Sequence, residues 1–291
     1  VSLIAHDLNA TRRMQVISVQ SSADTLQVKR GSLTLGRLLL VEDNPVNQEV
    51  AIAILAELGL EADCAWDGEE ALEKLAAERY QVVLMDCHMP KLDGYATTRR
   101  LREIESISGQ PRIAVIALTA NALSGDAEQC LAAGMDGYLS KPFSVDELYV
   151  TLKPYETSER TARVRTMPDP AASPASSLDQ NALRQIRSLR QPGGPDLLKR
   201  IVDLYISNSR TLIDSLRAAI IRNDATGVLQ AAHSLKSSSA NVGATVLTQL
   251  CGTLETSARL GKLAAGWALH DQIVEEHRRV LLALNAQTAA A

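Results

Sequence analysis

Aromatic side chains make up only 3% of this 291-residue chain, with a single phenylalanine and two tryptophans. Its interiors must be assembled from Leu, Ile, Val and Ala, which suits helices and a parallel sheet better than a β-sandwich. Cysteine is scarce too. Cys64, Cys87, Cys130 and Cys251 are scattered without a CxxC spacing, so neither a zinc site nor a disulfide framework is signalled, and a reducing cytoplasmic setting fits. No apolar run approaches the roughly 20 residues that span a bilayer, and no charged-then-apolar leader opens the chain. No membrane segment is expected in this chain. A basic recognition helix and an aromatic platform for bases are both missing, which argues against a nucleic-acid partner.

What is present is ordinary globular composition, 46% hydrophobic and 22% charged, in a length that accommodates two domains. Charge is distributed unevenly. Residues 37–155 hold 10 Lys+Arg against 20 Asp+Glu, net −10, whereas residues 178–291 hold 13 against 9, net +4. Opposite signs make mutual electrostatic steering of the two halves plausible.

From Leu38 short apolar runs alternate with amphipathic stretches. "LLLVED", "EADCAW", "VVLMD", "IAVIALTA" and "GYLS" read as strands; residues 47–58, 69–78, 95–104, 125–133 and 145–152 read as helices. Five such repeats predict an α/β doubly wound, five-stranded parallel sheet covered on both faces. Residues 156–177, "ETSERTARVRTMPDPAASPASS", lose periodicity and collect Pro, Ala and Ser. They read as a flexible linker with a typical span of about 25 Å. Beyond it lies only helix, at 179–190, 196–222, 225–242, 244–260 and 263–286, with brief connections that predict an all-α, up-and-down four-helix bundle. The first 36 residues are unassigned, a linker or the remnant of a preceding domain. A start at Val1 suggests a piece of a longer protein.

The strands deliver chemistry to the carboxyl edge of the sheet, where ligands bind in this architecture. The first ends in Glu42 and Asp43, the third in Asp86, the fourth in Thr119, and the fifth in Lys141 followed by Pro142. In strand order 2-1-3-4-5 the first and third are neighbours, so three carboxylates converge and repel unless a cation sits among them. Mg²⁺, which keeps waters and recruits phosphate oxygens, fits an open site of few carboxylates better than Ca²⁺. With Lys141 and Thr119 placed for an anionic group on Asp86, these are the needs of phosphoryl transfer.

Residues 37–152 resemble the receiver (response-regulator) family from end to end. The resemblance rests on four signals in order: the acidic pair of "VEDN", the acceptor of "MDCHMPKLDG", the threonine of "ALTA" and the lysine of "KPF". It implies that Asp86 accepts a phosphoryl group and that Glu42, Asp43, Asp86 and the backbone carbonyl of His88 hold Mg²⁺. It further implies that Thr119 and Lys141 bind phosphoryl oxygens, that Thr119 and Tyr138 form the switch, and that His88 and Asn121 tune phosphate lifetime.

The stretch "AAHSLKSSSANVGA" places Val228, Ala231, Leu235 and Val242 on one helical stripe and His233, Lys236, Ser237 and Ala240 opposite. His233 should therefore point to water, with small neighbours that leave it open to a bulky visitor. The stretch resembles the histidine phosphotransfer (HPt) family, with Ser237 standing where glycine is frequent. By that resemblance His233 is a second phosphorylation site and a nucleophile in its neutral form, and Lys236 neutralises the incoming phosphate. His270 and His277 lie seven apart on one helix without an evident carboxylate or cysteine partner, and are expected at the surface. His6 is given little weight, because the arginine and proline that follow a kinase phospho-histidine are missing. Cys87 and His88 are expected to pack a loop.

Together the two resemblances imply the C-terminal receiver and HPt portion of a bacterial hybrid sensor histidine kinase: receiver at 37–155, linker at 156–177, HPt domain at 178–291. Phosphate would pass between Asp86 and His233 and onward to a response regulator, possible contact of the two domains included. The chain has no glycine-rich nucleotide loop, so its phosphate would come from a kinase core, in the same parent chain, or from a small phosphodonor. A cytoplasmic chain is expected, with a parent that can be anchored in the inner membrane. The competing reading is a phosphorylation-gated binding module, in which the bundle holds a partner and the receiver controls access. A tether of this length supports either, since it can give a millimolar effective concentration. A transcription factor is disfavoured by the lack of a helix-turn-helix signal.

Overall fold

The computed structural model describes residues 33–120, 126–156, 178–189, 196–261, 263 and 266–289. The readings placed on the first 32 residues (His6 among them), on Asn121 and on linker residues 157–177 lie outside the described residues.

Strands β1 (Leu38–Val41), β2 (Ala62–Ala65), β3 (Val82–Asp86), β4 (Ala114–Thr119) and β5 (Gly137–Ser140) form one parallel sheet in the order β2-β1-β3-β4-β5. β1 and β3 are buried at every position rather than at alternate ones, as expected where helices cover both faces. The register sets Val41 beside Met85, Asp86 beside Leu118 and Thr119 beside Ser140, so the strand ends carrying the polar residues lie along one edge.

The helices between them are α1 (Pro45–Glu57), α2 (Gly68–Ala77), α3 (Gly94–Ser108), α4 (Asp126–Ala133) and α5 (Val145–Leu152). Several start on side-chain caps that satisfy the first free amides: Asn44 accepts from the Val46 and Asn47 amides, and Ser144 with Glu147 forms a reciprocal capping box. Gly94 opens α3 directly over the acceptor strand. A Cβ there would lie 2.1 Å from the Asp86 carbonyl oxygen, so only glycine lets α3 start so close to β3.

The second half is helical: α6 (Gln180–Ser188), α7 (Leu197–Ile221), α8 (Ala225–Asn241), α9 (Thr245–Arg259) and α10 (Gly266–Ala289). α7 packs on α8, α8 on α9, α9 on α10 and α10 on α7, which closes a four-helix bundle. Gly243, at φ +75°, turns α8 into α9, and a Cβ on it would meet the Asp179 carbonyl oxygen at 2.7 Å. The predicted apolar stripe of α8 is buried at Val228, Ala231, Leu235 and Val242.

The halves are in contact. α1 lies against α7 and α8, and one apolar cluster continues from the α1/α5 face of the sheet into the bundle. Two expectations are corrected by this packing. His233 is not open to water: it does lie opposite the apolar stripe, but the receiver covers it, leaving 5% exposed. His270 and His277 are not surface residues either, because both sit on the inward side of α10 and are buried. The Nε2 of His277 is 2.8 Å from the Ser209 hydroxyl on α7, and the ring of His270 meets Trp267 edge-on. A period-seven pair of polar side chains looks solvent-facing in sequence; here a hydroxyl and an indole supply the polarity and the packing.

Candidate functional site

Glu42 and Asp43 follow β1, Asp86 ends β3, Thr119 ends β4 and Lys141 follows β5. Glu42, Asp43 and Asp86 each offer one oxygen, and Lys141 its ammonium, to a common point. One oxygen from each of Glu42, Asp43 and Asp86 lies within 4.8 Å of the others, the candidate metal cluster among the described residues. Lys141 Nζ is 2.8 Å from Glu42 Oε2 and 2.8 Å from Asp86 Oδ2, deep in the protein. The peptide from Lys141 to Pro142 is cis. The His88 amide donates to Asp86 Oδ1 at 3.2 Å, which turns the loop after the acceptor back over it. Thr119 Oγ1 is buried and finds no protein partner. Tyr138 is buried on β5.

Lys141 balances one of three carboxylates, of which Glu42 and Asp86 are buried and Asp43 is half-buried. Burial pushes the Glu42 carboxyl up, against the pull of Lys141 and with the help of Asp86 and Asp43. Burial likewise raises Asp43 to about 6, reinforced by Asp86. Asp86 moves the other way: burial opposes its ionisation, but Lys141 and then His233 outweigh it. Three oxygens at this separation, with their charge unbalanced, suit a hard divalent cation held by oxygen.

The nucleophile candidate lies opposite. His233 Nδ1 is 3.2 Å from Glu255 Oε1 on α9, and Lys236 Nζ is 2.5 Å from Glu255 Oε2. Arg259 also reaches Glu255, at 3.1 Å. Burial would raise the Glu255 carboxyl, yet the hydrogen bond and charge of His233, with Lys236, bring it down to about 2. An ionised Glu255 can only accept, so a neutral His233 keeps its proton on Nδ1 and its lone pair on Nε2. That Nε2 is buried with no protein partner. Lys236 pairs with the same carboxylate that holds the His233 ring.

The halves bring these centres together. The rings of His88 and His233 lie 4.7 Å apart, inclined by 38°, and burial together with His233 lowers the His88 imidazole to about 4. Asn44 Nδ2 donates to Asn208 Oδ1 at 3.3 Å and to the Ser234 carbonyl at 3.2 Å. Asn47 Nδ2 donates to Glu42 Oε1 at 2.8 Å and to Ser237 Oγ at 2.9 Å, while its Oδ1 accepts from Asn241 Nδ2 at 2.8 Å. Arg200 and Glu49 form an ion pair at the rim.

Of the expected receiver residues, Glu42, Asp43, Asp86 and Lys141 meet at one point, and His233 approaches from the other half beside His88. Sequence reasoning missed Glu255, Asn47 and Asn241. A signal for Glu255 existed, since it is the single acidic residue between Asp224 and Asp271. The Cys87 sulfur lies 3.9 Å from that of Cys130, and the His88 ring packs at a tilt against that of His233.

Residues 38–153 match the response regulator receiver domain model and residues 200–287 match the Hpt domain model. The first span thus carries a receiver domain and the second an Hpt domain. Curated relatives are histidine kinases. Hybrid signal transduction histidine kinase L of Dictyostelium discoideum is 36% identical over 127 residues, covering 43% of this chain and 7% of that protein. Sensor histidine kinase RcsC of Escherichia coli K12 is 37% identical over 126 residues, covering 43% of this chain and 13% of that protein. The chain thus spans a small fraction of the curated relatives it matches. Among solved structures, the receiver domain of a sensor histidine kinase from Pseudomonas aeruginosa, with magnesium in its active-site cleft, is 48% identical; the match covers 42% of this chain and 97% of that one, with TM-score 0.38. Among the described residues no helix is long and apolar enough to cross a membrane.

Proposed function

We propose that this chain is the phosphorelay portion of a hybrid sensor histidine kinase, in which a phosphoryl group passes between Asp86 and His233 and onward to a response regulator. The observation that carries the reading is the His233 ring 4.7 Å from that of His88, whose amide bonds Asp86 Oδ1, with His233 Nε2 buried and without a protein partner. A phosphoryl group passing between the halves would engage that nitrogen, and Thr119 Oγ1, also buried without a protein partner, would donate to it.

In the transfer, His233 Nε2 attacks phosphorus with its lone pair, the bond from phosphorus to the Asp86 oxygen breaks, and the carboxylate leaves with the electron pair. The phosphorylated ring is cationic while Nδ1 keeps its proton, and Glu255, already bound to that proton, stabilises the charge. Lys141 neutralises the carboxylate released on Asp86, and Thr119 donates to an equatorial oxygen. The reverse transfer uses the same contacts. Glu42, Asp43, Asp86 and the His88 carbonyl would hold Mg²⁺, which when bound neutralises charge on the phosphoryl oxygens. The kinase core of the same parent and a downstream receiver are the partners this reading requires, in the cytoplasm.

The test is site mapping by intact mass after incubation with Mg²⁺ and a small phosphodonor, on the wild type, Asp86→Asn and His233→Gln. Expected are an alkali-labile phosphate on Asp86 and an acid-labile one on His233 that disappears in Asp86→Asn. No phosphate on Asp86 would sink the reading. The cover over His233 favours a second reading, a gated binding surface: phosphate on Asp86 alone, with partner binding lost in His233→Ala, would support that instead.

A further inference from the structure

His233, Ser237 and Asn241 are spaced by four along α8 and so share one face of the helix. The first carries the chemistry. The other two meet Asn47 of α1, and all three polar side chains are buried at 4–9% exposure. We propose that Asn47, Ser237 and Asn241 are specificity-determining residues by which His233 selects the receiver of its own chain over other receivers.

The fit uses up the Asn47 amide. Its two hydrogens go to Glu42 Oε1 at 2.8 Å and Ser237 Oγ at 2.9 Å, and its oxygen accepts from Asn241 Nδ2 at 2.8 Å. Turning the amide over would set its oxygen against the Glu42 carboxylate, so the orientation is fixed from within the receiver and the match is directional. A receiver with an apolar or acidic side chain at this place would bury the Ser237 hydroxyl and the Asn241 amide without partners. Sites built to hydrogen-bond a group reject an analogue that lacks it far more strongly than apolar contacts do. The contact also fixes the slide of α8 along α1, and with it where His233 meets Asp86. Asn44, bonded to the Asn208 side chain and to the Ser234 carbonyl, seats the same end of α1.

This inference rests on the phosphorelay reading for its kinetic test, which uses two full-length chains. The donor carries His233→Gln and is phosphorylated on Asp86; the acceptor carries Asp86→Asn and keeps His233, under its own receiver. Asn47→Ala in the acceptor loosens that receiver, and transfer between chains should rise about tenfold, a gain that misfolding does not produce. In the donor the same substitution should lower transfer about tenfold, and this loss should vanish when the acceptor carries Ser237→Gly with Asn241→Ala. Changes within twofold, or a donor effect indifferent to the acceptor's Ser237 and Asn241, would overturn the proposal. Should no transfer occur in any pair, the phosphorelay reading fails, and the selection is still measured by diethyl pyrocarbonate labelling of His233 in the full chain. Asn241→Ala should then speed labelling at least fivefold, and an unchanged rate would overturn the proposal on its own.

Discussion

The receiver gathers its site from four strand ends, with partners as distant in sequence as Glu42 and Lys141, 99 residues apart. The bundle builds its site from α8 and two residues of α9. The difference follows from what each must hold. A carboxylate acceptor needs a buried, highly charged cradle, and only a sheet edge brings so many charges to one point. A histidine nucleophile needs one fixed proton and an open nitrogen, which a neighbouring helix can supply. The receiver site is consequently short of positive charge, while the bundle site is balanced by Lys236 and Arg259 around Glu255.

The sharpest way to break this contrast is Lys141→Met. It strands Glu42 and Asp86 as buried carboxylates without their cation, and without Mg²⁺ the receiver should lose about 3–5 kcal/mol in urea unfolding, part of it regained on adding Mg²⁺. A loss below about 1 kcal/mol would mean the cluster is not under strain from its own charge.

The halves should also answer pH in opposite senses, and each holds one tryptophan, Trp66 and Trp267, so Trp→Phe variants isolate each signal. In the receiver, Asp43 has its folded pKa raised to about 6. A raised carboxyl binds its proton more tightly when folded, so that stability is present at pH 4 and lost as pH climbs through 6, by roughly 3 kcal/mol without Mg²⁺. In the bundle, burial and then Arg210 lower His277 to about 4. The unfolded chain takes up that proton first, so stability falls as pH drops from about 6.5 towards 4, by roughly 1–2 kcal/mol after screening. Parallel slopes from the two tryptophans would refute the contrast.

Glu255→Ala should slow transfer to His233 about tenfold, by freeing the ring and its tautomer, without slowing small-donor labelling of Asp86. Glu255→Gln, still an acceptor, should recover part of the rate. The smallest effect is expected at the rim: Arg200→Ala, which removes the ion pair with Glu49, should weaken contact between the halves by under about 1 kcal/mol, and less at high salt.

Much of the fold was legible. Uninterrupted apolar runs marked β1 and β3 as strands buried on both faces, and the rule that ligands lie beyond the carboxyl ends of parallel strands brought Glu42, Asp43, Asp86, Thr119 and Lys141 together. The apolar stripe of α8 was legible for the same reason, a period of 3.6 residues. The exposure of His233 was misread, because a helical wheel tells which side is turned from its own core and not what lies on the other side. His270 and His277 were misread because the wheel of α10 does not reveal that Ser209 and Trp267 stand ready to satisfy and pack them.

Element order, the strand-end residues and the polar side of α8 are readable along the chain, since they depend on local periodicity and on topology rules that follow from chain chirality. That α1 lies on α7 and α8, that Glu255 meets Nδ1 of His233, and that Asn47 spends its whole amide on Glu42, Ser237 and Asn241 is visible only in the folded molecule. Apart from Asn47 to Glu42, those contacts join residues 22 to 194 positions apart, and their geometry is set by how two finished surfaces fit, to which no local pattern is sensitive.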